Sequence, residues 1–409
     1  MREDGHDARH RADPRSSPRL SAVPDPSAAL RPGDRGANVA ALRSKLAVLG
    51  LLDAADLLPT DPDQASFDRD CELAVRSLQQ QRGLTADGVV GPLTHRALDE
   101  ARWRLGDRVL VHSVGHPPIG DDVAALQQRL LELGFDSGRV DGVFGPQTEV
   151  ALRDFQRNVG LVPDGVCGPG TFTALERLRR TVVGGRPHAL REDELIHAAG
   201  PGLANKLVVI DPGHGGPDRG VVAANLEEAA IVEDVAMRIE GRFAATGVMS
   251  FRTRGGADLS FDDAERAAFA NSAEADLLIS LHCDGASSPA PNGVACFFYG
   301  NDRFGHFSPV GERLARLMLR EVCARTDLLD LGVHGRTDEV LRRTRMPAVR
   351  LELGYLTHPG DAVRLADPAF RDAVADAVVA AVARLYQHGV EGVVAATTWL
   401  HAALQSTTP

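Results

Sequence analysis

Two different spacings of apolar residues divide the chain. In the first half, Val123, Leu126, Leu130 and Leu133 recur at intervals of three and four, which predicts a helix with one apolar stripe that Gly134 ends. Asp141-Gly142 and Asp164-Gly165 predict turns with positive φ. Thr148 and Thr171 follow Gly-Pro pairs, where a hydroxyl is expected to cap a new helix. Val150, Leu152 and Phe155 lead a second helix, so the unit reads as a bundle of about three short helices.

That unit occurs twice. Gly36 to Leu42 (GANVAAL) parallels Gly120 to Leu126 (GDDVAAL), and Leu-x-x-Leu-Gly follows in both, ending at Gly50 and Gly134. Gly83-Leu84, Asp87-Gly88-Val89, Gly91-Pro92 and Thr94 return as Gly160-Leu161, Asp164-Gly165-Val166, Gly168-Pro169 and Thr171. The copies are bounded as 31–102 and 116–180. Residues 1–30 are rich in Arg, Asp, Pro and Ser and read as disordered. Residues 181–204 read as a linker with a short helix around Glu192–Ala199.

From Lys206 strands and helices alternate. Leu207–Ile210 and Leu277–Leu281 are short apolar runs expected as buried strands, with further strands at Met249–Arg254, Val294–Tyr299 and Ala348–Leu353. Helices are expected at Glu228–Ala245, Asp262–Ala273, Pro309–Thr326 and Pro368–Tyr386. The pattern predicts an α/β domain over 205–388, a sheet flanked by helices, preceded by two small all-α units and followed by a tail at 389–409. Chemistry in such sheets gathers at the carboxyl ends of strands. His214, Glu228, His282 and Glu352 all fall there, and His, Glu and His are residue types that hold a metal.

Composition narrows the function classes. A hydrophobic fraction of 44% supplies a core, and a net charge of −11 argues against general nucleic-acid binding. Five scattered cysteines without CxxC spacing fit a reduced compartment. No apolar run long enough to span a membrane and no secretory signal is read, so a cytoplasmic location is expected, or the cell wall if the start is misassigned.

The repeats resemble the peptidoglycan-binding type 1 family. The second copy carries its Leu126-Gln127, Asp141-Gly-x-Phe144-Gly145 and Phe155-Gln156. The first is degenerate, with Arg43 and Leu78 replacing the family's Gln and Phe. The resemblance implies ligand contacts at Leu126, Gln127 and Phe155.

The second half resembles the zinc-dependent N-acetylmuramoyl-L-alanine amidases of type 3. Asp211-Pro-Gly-His214-Gly-Gly-x-Asp218-x-Gly220, Thr253-Arg254, Arg266 with Ala270-Asn271, Ser280-Leu281-His282 and Glu352-x-Gly354-Tyr355 carry it. The resemblance implies zinc held by His214, Glu228 and His282, with Glu352 as catalytic base and substrate contacts at Arg254 and Asp284. Glu227 competes with Glu228 for the ligand role; Glu228 is preferred from its spacing to Val235. The substrate implied is peptidoglycan or a muropeptide, cut between N-acetylmuramic acid and L-alanine.

Three departures matter. Cys283 replaces a family Ala, and strand alternation turns it away from His282, toward packing. Arg350 replaces an apolar residue on the same strand face as Glu352. A guanidinium there favours the ionised carboxylate and weakens it as a base, which suggests a slow or substrate-gated enzyme. His358 stands where Asn is common and is given no role.

Two repeats before an amidase domain also resemble a narrower actinobacterial group, the CwlM-type proteins. That resemblance implies a second reading: a cytoplasmic regulator of precursor synthesis. Its implied partners are UDP-N-acetylglucosamine enolpyruvyl transferase and a Ser/Thr kinase, with phosphate acceptors at Thr397-Thr398 and Ser406-Thr407-Thr408.

Overall fold

A computed structural model describes residues 29–53, 64–178 and 187–405, apart from 83, 85, 257–258 and 302–305. Most of the expected disordered segment 1–30, part of the linker and Ser406–Thr408 lie outside these residues. So do the side chains of Thr397 and Thr398.

Each repeat is three helices: α1 (Ala37–Val48), α2 (Arg69–Gln81) and α3 (Pro92–Ala101), then α4 (Asp121–Glu132), α5 (Pro146–Asn158) and α6 (Pro169–Leu178). Matching backbone bridges close the two copies, Leu30 to Val90 and Leu110 to Cys167. In the second copy this bridge reaches back to Leu110, the buried counterpart of Leu30, six residues ahead of the expected bound at 116. Val123, Leu126, Leu130, Leu152 and Phe155 form its core, whereas Val150 is exposed.

One hydrogen-bonded motif recurs three times. Gln127 Nε2 donates to Asp141 Oδ1 at 2.7 Å and Thr148 Oγ1 at 3.0 Å, and Gln127 Oε1 accepts from Gly142 N at 2.8 Å. Gln156 repeats it with Asp164, Thr171 and Gly165, and Gln79 with Asp87, Thr94 and Gly88. Thr148 and Thr171 thus act as acceptors inside this network rather than as the expected caps; Gly145 holds the cap position of α5 and makes no side-chain bond. At the fourth such place Arg43 stands for Gln and donates to Asp68 Oδ2 at 2.7 Å and Ser66 O at 3.2 Å.

After α7 (Pro187–Ala198) the α/β domain begins with β1 (Leu207–Pro212), a small hairpin of β2 (Val222–Ala223) and β3 (Leu226–Glu227), and α8 (Glu228–Thr246). There follow β4 (Met249–Arg252), α9 (Asp263–Ser272), β5 (Leu277–Asp284), β6 (Val294–Asn301), β7 (His306–Phe307) and α10 (Pro309–Arg325). The domain closes with β8 (Asp330–Arg336), α11 (Glu339–Arg343), β9 (Ala348–Tyr355), α12 (Pro359–Ala366) and α13 (Pro368–Gln405). The last helix runs past the expected end at Tyr386.

The sheet runs β4-β1-β5-β9-β6, with β7 and β8 both on β6. β1, β4, β5 and β9 are mutually parallel and β6 is antiparallel to β9, so the sheet is mixed. One face is apolar throughout: Ile210, Ile279, Leu281, Cys283, Val349 and Leu351 pack on α8, α10 and α13. The other face carries Val209, Leu278, Phe297 and Tyr299 under the short helices α9 and α11. Repeat 2 completes that cover. Arg139 inserts into the domain and pairs with Glu192 at 2.7 Å, both side chains almost fully buried, and Tyr299 Oη donates to Val140 O. Among the described residues no helix is long and apolar enough to cross a membrane.

Candidate metal centre and catalytic site

Alternation along three adjacent strands puts Asp211, Ser280, His282, Arg350 and Glu352 on the second face, opposite the large apolar cluster. Parallel register sets His282 beside Glu352. β1 then ends in a tight loop. Its turn places His214 at φ 59, in the left-handed region that non-glycine residues seldom occupy outside constrained sites. Gly213 lies against the His282 imidazole, and a Cβ there would collide with the ring.

His214, Glu228 and His282 converge, with ligand-type atoms of all three within 4.8 Å of one another. Glu228 Oε1 lies 3.1 Å from His214 Nε2 and 2.9 Å from His282 Nδ1, and it accepts from Cys283 N at 3.0 Å. The other Glu228 oxygen accepts from Val221 N at 2.9 Å. Burial opposes ionisation of Glu228, but the two histidines outweigh it and hold the carboxyl well below its usual range. His214 Nδ1 lies 2.8 Å from Asp218 Oδ2, leaving Nε2 directed at the cluster. Burial pulls His214 down, yet Glu228 and Asp218 together raise it. A carboxylate behind a ring nitrogen is the usual means of orienting a metal-binding histidine. Glu227 stands apart, half-buried and paired with Arg219.

A buried polar layer holds the loop. Asp211 accepts from Thr253 Oγ1 at 2.6 Å, Arg266 Nη1 at 2.6 Å and Ser280 Oγ at 2.7 Å. Burial works against its charge, but Arg266 and the two hydroxyls keep it below the ordinary carboxylate range. Arg266 continues to His214 O at 2.8 Å.

Glu352 is 5% exposed. Its Oε1 accepts from Arg350 Nε at 2.8 Å, while Oε2 is buried without any hydrogen-bond partner. A buried carboxylate oxygen with no donor is rare and costly, so this one is an acceptor awaiting a donor. Asp284 follows His282 at the rim; burial, then the charge of Glu352, pushes its carboxyl up. Tyr355, its register partner, is pushed up to about 12 by burial and by Asp284.

Several expected contacts fall elsewhere. Arg254 is 1% exposed and donates to Pro212 O at 3.0 Å and Ala229 O at 2.8 Å, with an ion pair to Glu233 at 2.7 Å. It braces the loop from behind and does not face a substrate. Leu126 and Phe155 are core residues, and Gln127 is consumed by its turn network, so none of the three presents a surface to a ligand. His358, given no role from sequence, caps α12 by accepting from Asp361 N at 3.2 Å. Asp218 and the Asp211 layer are visible as motif letters, but their partners lie 4 to 69 residues away in sequence.

The similarity of the chain to known proteins follows the same division. Residues 208–384 match the N-acetylmuramoyl-L-alanine amidase family, and 35–98 and 119–175 match the peptidoglycan-binding domain family. The N-acetylmuramoyl-L-alanine amidase CwlM of Mycobacterium tuberculosis is 49% identical over 368 residues, covering 88% of this chain and 90% of its own. The germination-specific N-acetylmuramoyl-L-alanine amidase of Bacillus subtilis is 28% identical over 200 residues, covering 45% of this chain and 81% of its own. Among solved structures, the catalytic domain of the amidase CwlV from Bacillus (Paenibacillus) polymyxa var. colistinus is 27% identical with a TM-score of 0.40, covering 44% of this chain and 97% of that one. The chain belongs to the N-acetylmuramoyl-L-alanine amidase family.

Proposed function

We propose that this protein hydrolyses the amide between the lactyl carbonyl of N-acetylmuramic acid and L-alanine in peptidoglycan or muropeptides, using zinc held by His214, Glu228 and His282. The observation that carries this reading is the unpartnered, buried Oε2 of Glu352 beside a His/Glu/His cluster. The donor set fits zinc: two imidazoles and a carboxylate converge, a further carboxylate orients one ring, and three protein ligands suit a catalytic rather than a structural site. Zinc supplies Lewis acidity, which polarises a carbonyl and lowers the pKa of water. Glu352 accepts the proton of the attacking water and delivers it to the departing L-alanine amine. Asp218 keeps His214 in one tautomer, and Asp284 and Tyr355 line the rim where substrate enters.

The test is metal content and muropeptide cleavage on the same preparations. We expect about one zinc per chain, and a loss of about 10²- to 10⁴-fold in kcat for Glu352→Gln with zinc retained. Zinc bound without any cleavage by the wild-type protein would overturn the reading.

A further inference from the structure

Arg350 lies between two carboxylates on different elements. Nε donates to Glu352 Oε1 at 2.8 Å, and Nη1 stands 3.9 Å from Asp338 Oδ2. Asp338 precedes α11 and is 8% exposed; it makes no side-chain cap bond, and its Oδ2 is buried without a hydrogen-bond partner. Arg336 Nη1 is 3.8 Å from the same oxygen, and the Asp263 carboxyl also faces Arg350. Burial alone would weaken the Arg350 charge, but Glu352 and then Asp338 outweigh it. One guanidinium therefore has one acceptor in hand and a second, unsatisfied, just beyond reach. Either carboxylate left without the guanidinium is a buried, under-satisfied acceptor, so the two compete for it, and a small approach of Asp338 shifts the balance away from Glu352.

The position of Asp338 is set from outside the α/β domain. From repeat 1, Arg82 O accepts from Thr337 Oγ1 at 2.9 Å, Glu100 Oε2 accepts from Arg342 Nη1 at 2.9 Å, and Arg96 pairs with Glu339. From repeat 2, Arg139 donates to Leu341 O at 2.9 Å and Met346 O at 3.3 Å. The segment 337–346 is thus gripped by both repeats immediately before β9 carries Arg350 and Glu352. A cavity of about 50 Å³, lined by Arg82, Glu100, Asp338, Arg342 and Arg350 among others, leaves room for movement at this junction.

We propose that Arg350 is a positioning residue that exchanges partners between Glu352 and Asp338, and that the two repeats control the exchange through α11. Contact with Glu352 restrains the base; contact with Asp338 releases it. The inference rests on the reading of Glu352 as the base and names the regulation of that site.

The experiment uses the full zinc-loaded chain and a soluble muropeptide. Asp338→Asn weakens the alternative acceptor and is expected to lower kcat by about tenfold with KM unchanged. Arg350→Leu is expected to raise kcat, and Asp338→Asn then has no further effect. Glu100→Gln, checked for folding by circular dichroism and Tm, is expected to act like Asp338→Asn in the wild-type background and to be silent beside Arg350→Leu. Equal losses from Asp338→Asn with and without Arg350 overturn the proposal, as does a fall in kcat for Arg350→Leu. The Arg350 Nε–H resonance provides a readout without turnover: it should be more protected from solvent exchange in Asp338→Asn and Glu100→Gln than in wild type. If neither wild type nor Arg350→Leu cleaves, the amidase reading fails. A resonance that still responds then upholds the exchange, and one unmoved by both substitutions overturns it.

Discussion

Asp211 shows how a single buried charge organises this site. It is fully buried and sits under the loop that bears His214, with Arg266, Thr253 and Ser280 converging on it. Its folded pKa is depressed below the unfolded value near 3.8, so its contribution to stability is fully present above that value. The contribution is lost as pH falls through the lower folded value. Urea unfolding of Asp211→Asn should show a loss of about 3–5 kcal/mol at neutral pH, because Arg266 is left buried without its partner. The acid slope below pH 3.8 should flatten in the same variant. Gln127 makes the complementary point in repeat 2. Gln127→Leu leaves the buried Gly142 amide without its acceptor and the Asp141 carboxylate with Val143 N but without its side-chain donor, an expected cost of about 1–3 kcal/mol by chemical denaturation. The side chain that sequence resemblance assigns to a ligand is instead part of the turn's internal wiring. Spacing alone does not reveal that, because a polar residue beside an apolar stripe has the same letter whether it faces solvent or a buried turn.

At the scale of elements, the site depends on where strands stop. β1 and β5 end side by side, and the Pro212-Gly213 turn passes so close to His282 that only glycine fits. Gly213→Ala should therefore displace His282 and, at the proposed zinc site, lower metal retention in a chelator competition, while far-UV circular dichroism stays near wild type, since the apolar face is untouched. The long periodic elements were legible: α8, α10, β1 and β5 lie within a few residues of their expected bounds. The short ones were not. α11 has five residues, too few to display a helical period, and β8 (DLGVHGR) is glycine-containing, half exposed and without alternation. Both form because β6 and β9 give them a surface to lie on. The segment between Thr326 and Ala348, which has no regular spacing of apolar residues, is the one that contacts both repeats just before β9.

In the whole molecule the repeats are built against the catalytic domain rather than strung before it. One face of the sheet is covered by the long helices α8, α10 and α13, but the other, among the described residues, lies under the short helices α9 and α11, and repeat 2 extends that cover through Arg139 and Val140. Arg342 reciprocates by entering repeat 1 at Glu100. Breaking a buried pair by removing one partner leaves a poorly compensated charge, so Arg139→Ala should cost about 3–5 kcal/mol of coupling, because the buried Glu192 loses its cation. Calorimetry is expected to show one joint transition for repeat 2 and the amidase domain in the wild type, and two separated transitions in Arg139→Ala. A single unchanged transition in that variant would show that the ion pair does not join the two units.

The amino-acid sequence by itself determined the division into two helical units and one α/β domain. It also determined the face each strand buries and the four side chains that reach the strand ends. These are local properties: a period of 3.6 or 2, a glycine where a turn needs it, an apolar run of strand length. The tertiary structure alone decided which polar residues spend themselves on internal bonds, as Gln127 and Arg254 do, and which keep a free atom, as Glu352 does. It also decided that Arg350 faces Glu352 and Asp338, and that the helix after Asp338 is bonded to residues more than two hundred positions earlier. Such pairings depend on register and on domain docking, and neither is written in the spacing of any one segment.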